Sequence, residues 1–202
     1  RVRSSAASDV YKRQVYDELA YGALYNYQYQ NDDNRNYSYY KRVFVGALRA
    51  VDFITSLPQY NGKALGVTGS SQGGALSMVT AALDKRVTFY AAIHPAMCDH
   101  RAHLQKVAGG WPHYFYYFPT PTPQRIQTAD YYDMVNFARR ITVPGWFSWG
   151  YNDDVCPPTS TYAAYNSITA PKELHPYLET GHYWYQEQYE QWSQWLWAQM
   201  GL

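Results

Sequence analysis

The sequence predicts an α/β fold, a three-layer sandwich in which helices cover both faces of a parallel sheet of about four visible strands. Three observations predict it. From about residue 40 onward, short apolar runs of strand length alternate with helical stretches. A Gly-x-Ser-x-Gly turn joins one such strand to the helix after it. At 202 residues with 47% apolar content, the chain is long enough for one real core and short for two.

The elements follow in order. Phe44, Ala47, Leu48, Val51 and Ile54 recur at helical spacing and form one apolar stripe. Pro58 and Asn61-Gly62 end that helix and turn the chain. Residues 64–68 read as a strand, 72–83 as a helix of small and apolar residues, 87–94 as a second strand and 99–107 as a helix. An aromatic and Pro-rich loop spans 109–123, and a helix spans 131–141. A third strand is expected at 143–149, a helix at 159–167 and a fourth strand at 172–178. A closing helix at 183–200 carries Trp192, Trp195 and Leu196. Parallel strands of this kind are buried on both faces. No internal repeat or second domain is visible.

Residues 1–36 read as irregular, ahead of a catalytic domain at 37–202. The first 14 lack both helical and strand periodicity, start without Met and contain no apolar signal-peptide core. They read as a non-native scar at the end of a metagenomic fragment. Tyr25, Tyr27, Tyr29, Tyr37, Tyr39 and Tyr40 cluster among Asn, Gln and Asp. They suggest an irregular surface segment with half-buried rings, or alternatively faces on which sugars stack.

The formal net charge of +1 supplies no broad basic field, so nucleic acid is not an expected partner. The longest apolar runs fall far below membrane-spanning length, so a membrane is not expected either. Cys98 and Cys156 are too few for a disulfide framework or a zinc site, and their pairing stays open. So does the compartment, whether secreted, periplasmic or cytoplasmic.

The chemistry concentrates at Gly69-Ser70-Ser71-Gln72-Gly73. The bare pattern occurs by chance in roughly one chain of this length in fifteen, so its strand-then-helix context decides. Such a nucleophile elbow holds Ser71 in a strained turn, and its glycines avoid clashes there. The N–H groups that follow lie at a helix N-terminus, where an oxyanion is stabilised. A nucleophilic serine needs a base and an orienting acid from the ends of later strands. His182 follows the fourth strand, and Asp153 and Asp154 follow the third, in the chain order of the α/β-hydrolase fold. The residues alone do not separate the two aspartates. His94, Trp111 and His113 are candidates for a pocket wall. His100, His103, His113 and His175 have no matching acid. The chemistry calls for no metal or cofactor.

Residues 66–74, the stretch Gly150-Tyr-Asn-Asp153-Asp-Val-Cys156-Pro-Pro158, and Ala163-Ala-Tyr-Asn166 followed by Pro171-Lys-Glu173 together resemble the acetyl xylan esterase and cephalosporin C deacetylase family. That family is carbohydrate esterase family seven. The resemblance runs from about Tyr39 to the C-terminus and is densest after Gly66. It implies Ser71 as nucleophile, His182 as base, Asp153 as acid and the Gln72 backbone N–H as one oxyanion donor. It also implies removal of acetyl groups from short xylo-oligosaccharides and other small acetyl esters, and a homo-oligomer with inward-facing sites. Tyr183 stands where the family usually has Glu, and the family's upstream Arg-Gly-Gln-Gly element and early strands are absent.

The chain is therefore expected to be the C-terminal part of a longer enzyme, with residues 64–68 left as an open, aggregation-prone edge. The resemblance implies that the Tyr completing the family's oxyanion hole is also absent, and loss of one oxyanion donor costs about 10²–10³ in turnover, so this piece alone is expected to be weakly active or inactive. A serine peptidase of the oligopeptidase type and a non-catalytic carbohydrate-binding or assembly protein are the rival readings.

Overall fold

A computed structural model of the chain describes residues 6–202. It opens on α1 (Ala6–Ala20). The expectation of an irregular segment is therefore corrected over residues 6–20. That run contains no Pro or Gly and includes three Ala with single Leu, Glu, Gln, Lys and Arg residues, so propensity permits helix even without an apolar stripe for periodicity to detect. Residues 1–5 of the proposed scar lie outside the described residues.

After a 3₁₀ turn at Tyr27–Tyr29, α2 (Tyr39–Ser56) buries Tyr40, Phe44 and Val51. Its N-cap is Ser38, whose hydroxyl accepts the Tyr40 N–H. There follow β1 (Gly66–Ser70), α3 (Gln72–Leu83) and β2 (Phe89–Ile93), then α4 (Tyr114–Tyr117), α5 (Pro123–Tyr131) and α6 (Met134–Ala138). β3 (Gly145–Gly150), α7 (Pro158–Asn166), β4 (Lys172–Tyr177) and α8 (Gln186–Met200) complete the order.

Two helical expectations are corrected. Of residues 99–107 only Ala102–Gln105 form a 3₁₀ turn. The helix expected at 131–141 is confined to Met134–Ala138, with α5 ending ahead of it at Tyr131 and a break at Tyr132-Asp133 between them. Asp133 explains both outcomes. Its buried carboxylate caps α6 through Val135 N–H at 2.8 Å, and it also accepts the N–H groups of Asp99 at 3.0 Å and His100 at 2.7 Å. A side chain that binds these backbone donors competes with a continuous helix. Asp133→Ala leaves three enclosed or partly buried backbone donors unmatched and is expected to cost about 2 kcal/mol or more, read as a lower denaturant midpoint.

The four strands run parallel in the order β1-β2-β3-β4. Side chains alternate across the sheet. Tyr90, Ala92, Phe147 and Trp149 face the larger core with Ala75, Met78 and Val79 of α3, Met134 of α6 and Ala164 of α7. Ala91, Ile93 and Trp146 face the other way, against Trp184 and the Trp192, Trp195 and Leu196 side of α8. These are the three layers expected. Among the described residues β1 pairs only with β2, so its outer edge is open. All four strands deliver their carboxyl ends to one side of the molecule, which is where the candidate chemistry lies.

Candidate active site

The turn after β1 has the elbow geometry. Ser71 stands at φ 56° and ψ −119°, a conformation that costs a non-Gly residue free energy and persists only when its surroundings impose it. They do so here. Ser71 N–H donates to Ile93 O at 3.0 Å, and Ser71 O accepts from Ala75 N at 3.1 Å and Ala96 N at 3.0 Å. A Cβ on Gly69 would stand 2.3 Å from the Gly73 carbonyl carbon, so Gly69 is sterically obligatory. Gly73 itself has nothing within 4 Å of its Cβ position, which corrects the expectation that crowding demands both glycines of the motif. Gly69→Ala is expected to destabilise the fold by about 1–3 kcal/mol, whereas Gly73→Ala stays within about 1 kcal/mol, both read from thermal unfolding. The Gln72 N–H, at the first turn of α3, donates to no partner among the described residues.

The ends of β3 and β4 bring acid and base together. His182 Nδ1 lies 2.8 Å from Asp153 Oδ2. Asp153 Oδ1 accepts Val155 N–H at 2.9 Å and Cys156 N–H at 2.7 Å, so the Asp-x-x-Cys turn fixes this carboxylate from below. The Asp153 side chain is fully buried, and that of His182 is 22% exposed. Asp154 is exposed. Close approach of the two loops is built in, because a Cβ on Gly150 would stand 2.1 Å from Thr180 O. Asn152 N–H donates to that same Thr180 O at 3.0 Å. No Ser71–His182 hydrogen bond forms among the described residues, and the Ser71 side chain lies beside the buried Cys156 thiol. Burial pushes that thiol's pKa up, so Cys156 is packing rather than a competing nucleophile.

Against this geometry, the acetyl xylan esterase (AXE1) family model matches residues 27–199. The chain belongs to the acetyl xylan esterase family. It is 55% identical over 142 residues to acetyl esterase Axe7A of Xylanibacter ruminicola, covering 70% of this chain and 32% of that protein. Among solved structures it superposes on acetyl xylan esterases from a Paenibacillus species and a Thermoanaerobacterium species. The TM-scores are 0.78 and 0.77, with 28% and 26% identity. These matches cover 85% and 87% of this chain but 57% and 58% of those chains. The chain thus spans between a third and three fifths of the length of these relatives, on the α/β-hydrolase-like sheet they share.

The expected pocket residues fare differently. His94 is 2% exposed and offers no open wall; it lies behind His182, with ring centroids 4.2 Å apart. Trp111 is half-buried, and its backbone N–H donates to Val155 O at 2.9 Å, which ties the 109–113 loop to the Asp153 turn. His113 is half-buried with Nδ1 3.0 Å from Gly109 O, and burial lowers its pKa. A separate cleft of about 600 Å³ lined by Phe44, Leu83, Tyr131 and Arg139 contains none of the candidate catalytic side chains. Donor atoms of His94, Asp153 and His182 lie within 4.8 Å of one another, a spacing that a metal ion could use. The Asp153 oxygens, however, already serve three nitrogens.

Residue spacing placed Tyr27 only in a surface or sugar-stacking cluster and missed Ser70 and Trp184. The Gln72 amide donates to the Tyr27 hydroxyl, and the Tyr27 ring packs 6.4 Å from Trp111. Tyr29 OH donates to Pro112 O at 2.7 Å. These two tyrosines of the N-terminal cluster therefore brace the elbow and the neighbouring loop, while Tyr25 and Tyr37 are exposed. No local periodicity marks such contacts, which join residues more than 40 apart.

Proposed function

We propose that this chain carries the catalytic serine, base and acid of a serine carboxylesterase that removes acetyl groups from acetylated xylo-oligosaccharides and related small acetyl esters. The observation that carries the reading is the 2.8 Å His182–Asp153 pair at the same sheet edge as the strained Ser71.

Asp153 holds the proton of His182 on Nδ1, which leaves Nε2 free to accept the Ser71 proton as the hydroxyl attacks the acetyl carbonyl. Hydrogen bonds of this kind commonly tighten only with substrate bound, and Ser71 turns from Cys156 toward the ring to make it. The Gln72 N–H stabilises the tetrahedral oxyanion at the positive end of α3. His182 then protonates the departing sugar hydroxyl, and water repeats the cycle to release acetate. The Xylanibacter relative is named an acetyl esterase and the solved relatives acetyl xylan esterases, which supports acetyl as the acyl group. The homo-oligomer implied by the resemblance belongs to the same proposal, and light scattering of the purified chain reads it directly.

The test is a substrate panel. Acetate release from acetylated xylo-oligosaccharides and aryl acetates is expected to exceed the rate on matched longer acyl esters. Fluorogenic peptides are expected to remain uncut. Peptide cleavage above ester cleavage would turn the reading to a peptidase, and inertness on every ester together with no fluorophosphonate labelling of Ser71 would leave a binding protein.

A further inference from the structure

His94 occupies a position that a core histidine does not need. It directly follows β2 at φ 30°, a strained value for a side-chain-bearing residue, and its backbone N–H donates to Ser148 O at 2.7 Å. Its ring is buried at 2% exposure, with Nε2 2.6 Å from Ser70 Oγ and Nδ1 enclosed without a partner. Strain and an unmatched buried nitrogen on one residue are features that functional sites retain and ordinary packing removes.

The hydrogen-bond inventory offers the ring one directed chain. Trp184 Nε1–H, which can only donate, reaches Ser70 Oγ at 3.4 Å. The Ser70 hydroxyl then has its own proton to place, and His94 Nε2 is the acceptor within reach. Trp184 to Ser70 to His94 can thus run as one directed chain, the arrangement in which neutral His94 carries its proton on Nδ1. Burial, reinforced by the neighbouring His182, lowers the His94 pKa to about 4, with Asp153 pulling the other way. Across the neutral range the ring carries no charge. It lies 4.2 Å from the His182 ring at 45°, and Trp184 meets it edge-on at 6.3 Å.

We propose that His94 is a positioning residue for His182, a neutral ring oriented by Ser70 and Trp184 that fixes the plane of the base. Asp153 grips His182 at one atom, Nδ1, and a single hydrogen bond leaves the ring free to rock about it. Packing against His94 supplies the second constraint. The groups facing His94 are Ser70 from the β1 turn, Asp153 and His182 from the loops after β3 and β4, and Trp184 ahead of α8. Only one member of this pair of rings protonates during turnover, so no second positive charge opposes the imidazolium. The inference rests on the esterase reading and extends it to a residue outside the Ser-His-Asp set.

The test uses the full chain with ¹⁵N-labelled histidine, together with fluorophosphonate labelling of Ser71. Wild type is expected to show a strongly deshielded His182 Nδ1 proton and a His94 signal of the Nδ1–H tautomer. His94→Ala is expected to broaden or abolish the His182 signal and to slow labelling about ten- to a hundredfold. His94→Phe, which restores a ring but no acceptor, is expected to recover most of that rate. Ser70→Ala, which perturbs the fold least, is expected to mix the His94 tautomers. An unchanged His182 signal and labelling rate in His94→Ala overturns the proposal. So does an unchanged His94 tautomer in Ser70→Ala, which covers the case of an alanine variant that fails to fold. Wild-type chain that never labels at Ser71 counts against the esterase reading instead, and the two failures are thereby told apart.

Discussion

Replacing Ser71 with Ala is expected to abolish covalent labelling by a fluorophosphonate and all acetate release above background, with the unfolding midpoint unchanged or raised. The size of the effect follows from the role. With the attacking oxygen gone, the acyl-enzyme cannot form, and what remains is the small acceleration that an oxyanion site and binding provide without a nucleophile. The neutral or favourable effect on stability follows from the backbone. Ser71 holds a φ of 56° through main-chain bonds to Ile93, Ala75 and Ala96, none of which involves its side chain. Circular dichroism and a melting curve separate loss of chemistry from loss of fold. Labelling that persists in Ser71→Ala would place the reactive group elsewhere and end the present assignment.

Asp153→Asn is expected to lower kcat about 10⁴-fold, against no more than a few-fold for Asp154→Asn. The asparagine carbonyl can still accept the Val155 and Cys156 N–H groups, so the turn survives. Its NH₂ then faces His182 Nδ1, where a carboxylate oxygen stood at 2.8 Å. A donor opposite Nδ1 forces the ring proton to Nε2, the atom that must be empty to take the serine proton. The base is thereby disabled without moving. Asp154, exposed and outside this network, has nothing comparable to lose. The comparison is made by steady-state kinetics on an aryl acetate, with KM followed separately. Equal losses in the two variants would show that the effect is general charge rather than orientation of one ring.

Much of this architecture is legible in the residues because it depends on local rules. Strand and helix alternate visibly, each strand lies within about two residues of its expected place, and the Gly69–Gly73 motif announces a turn between two such elements. Where periodicity was weak, the reading slipped. α1 lacks an apolar stripe, and the 131–141 stretch hides a break that comes from Asp133 reaching across to residues 99 and 100. A carboxylate that caps a distant turn leaves no trace in the spacing of its own neighbours.

The sequence by itself determined the order of elements, the elbow at Ser71 and, through the resemblance, the family. Those depend on backbone propensity, on turn chemistry and on motifs short enough to read along the chain. Residue spacing left Asp153 and Asp154 open and only the resemblance favoured Asp153; the tertiary structure alone decided that His94 is enclosed rather than lining a wall, that Tyr27 braces Gln72, and how close Asp153 comes to His182. The physical reason is that side-chain direction at a strand end is set by closure of the two loops, here by the fit of Gly150 against Thr180. A one-residue difference in such a turn sends one carboxylate into the core and its neighbour into water.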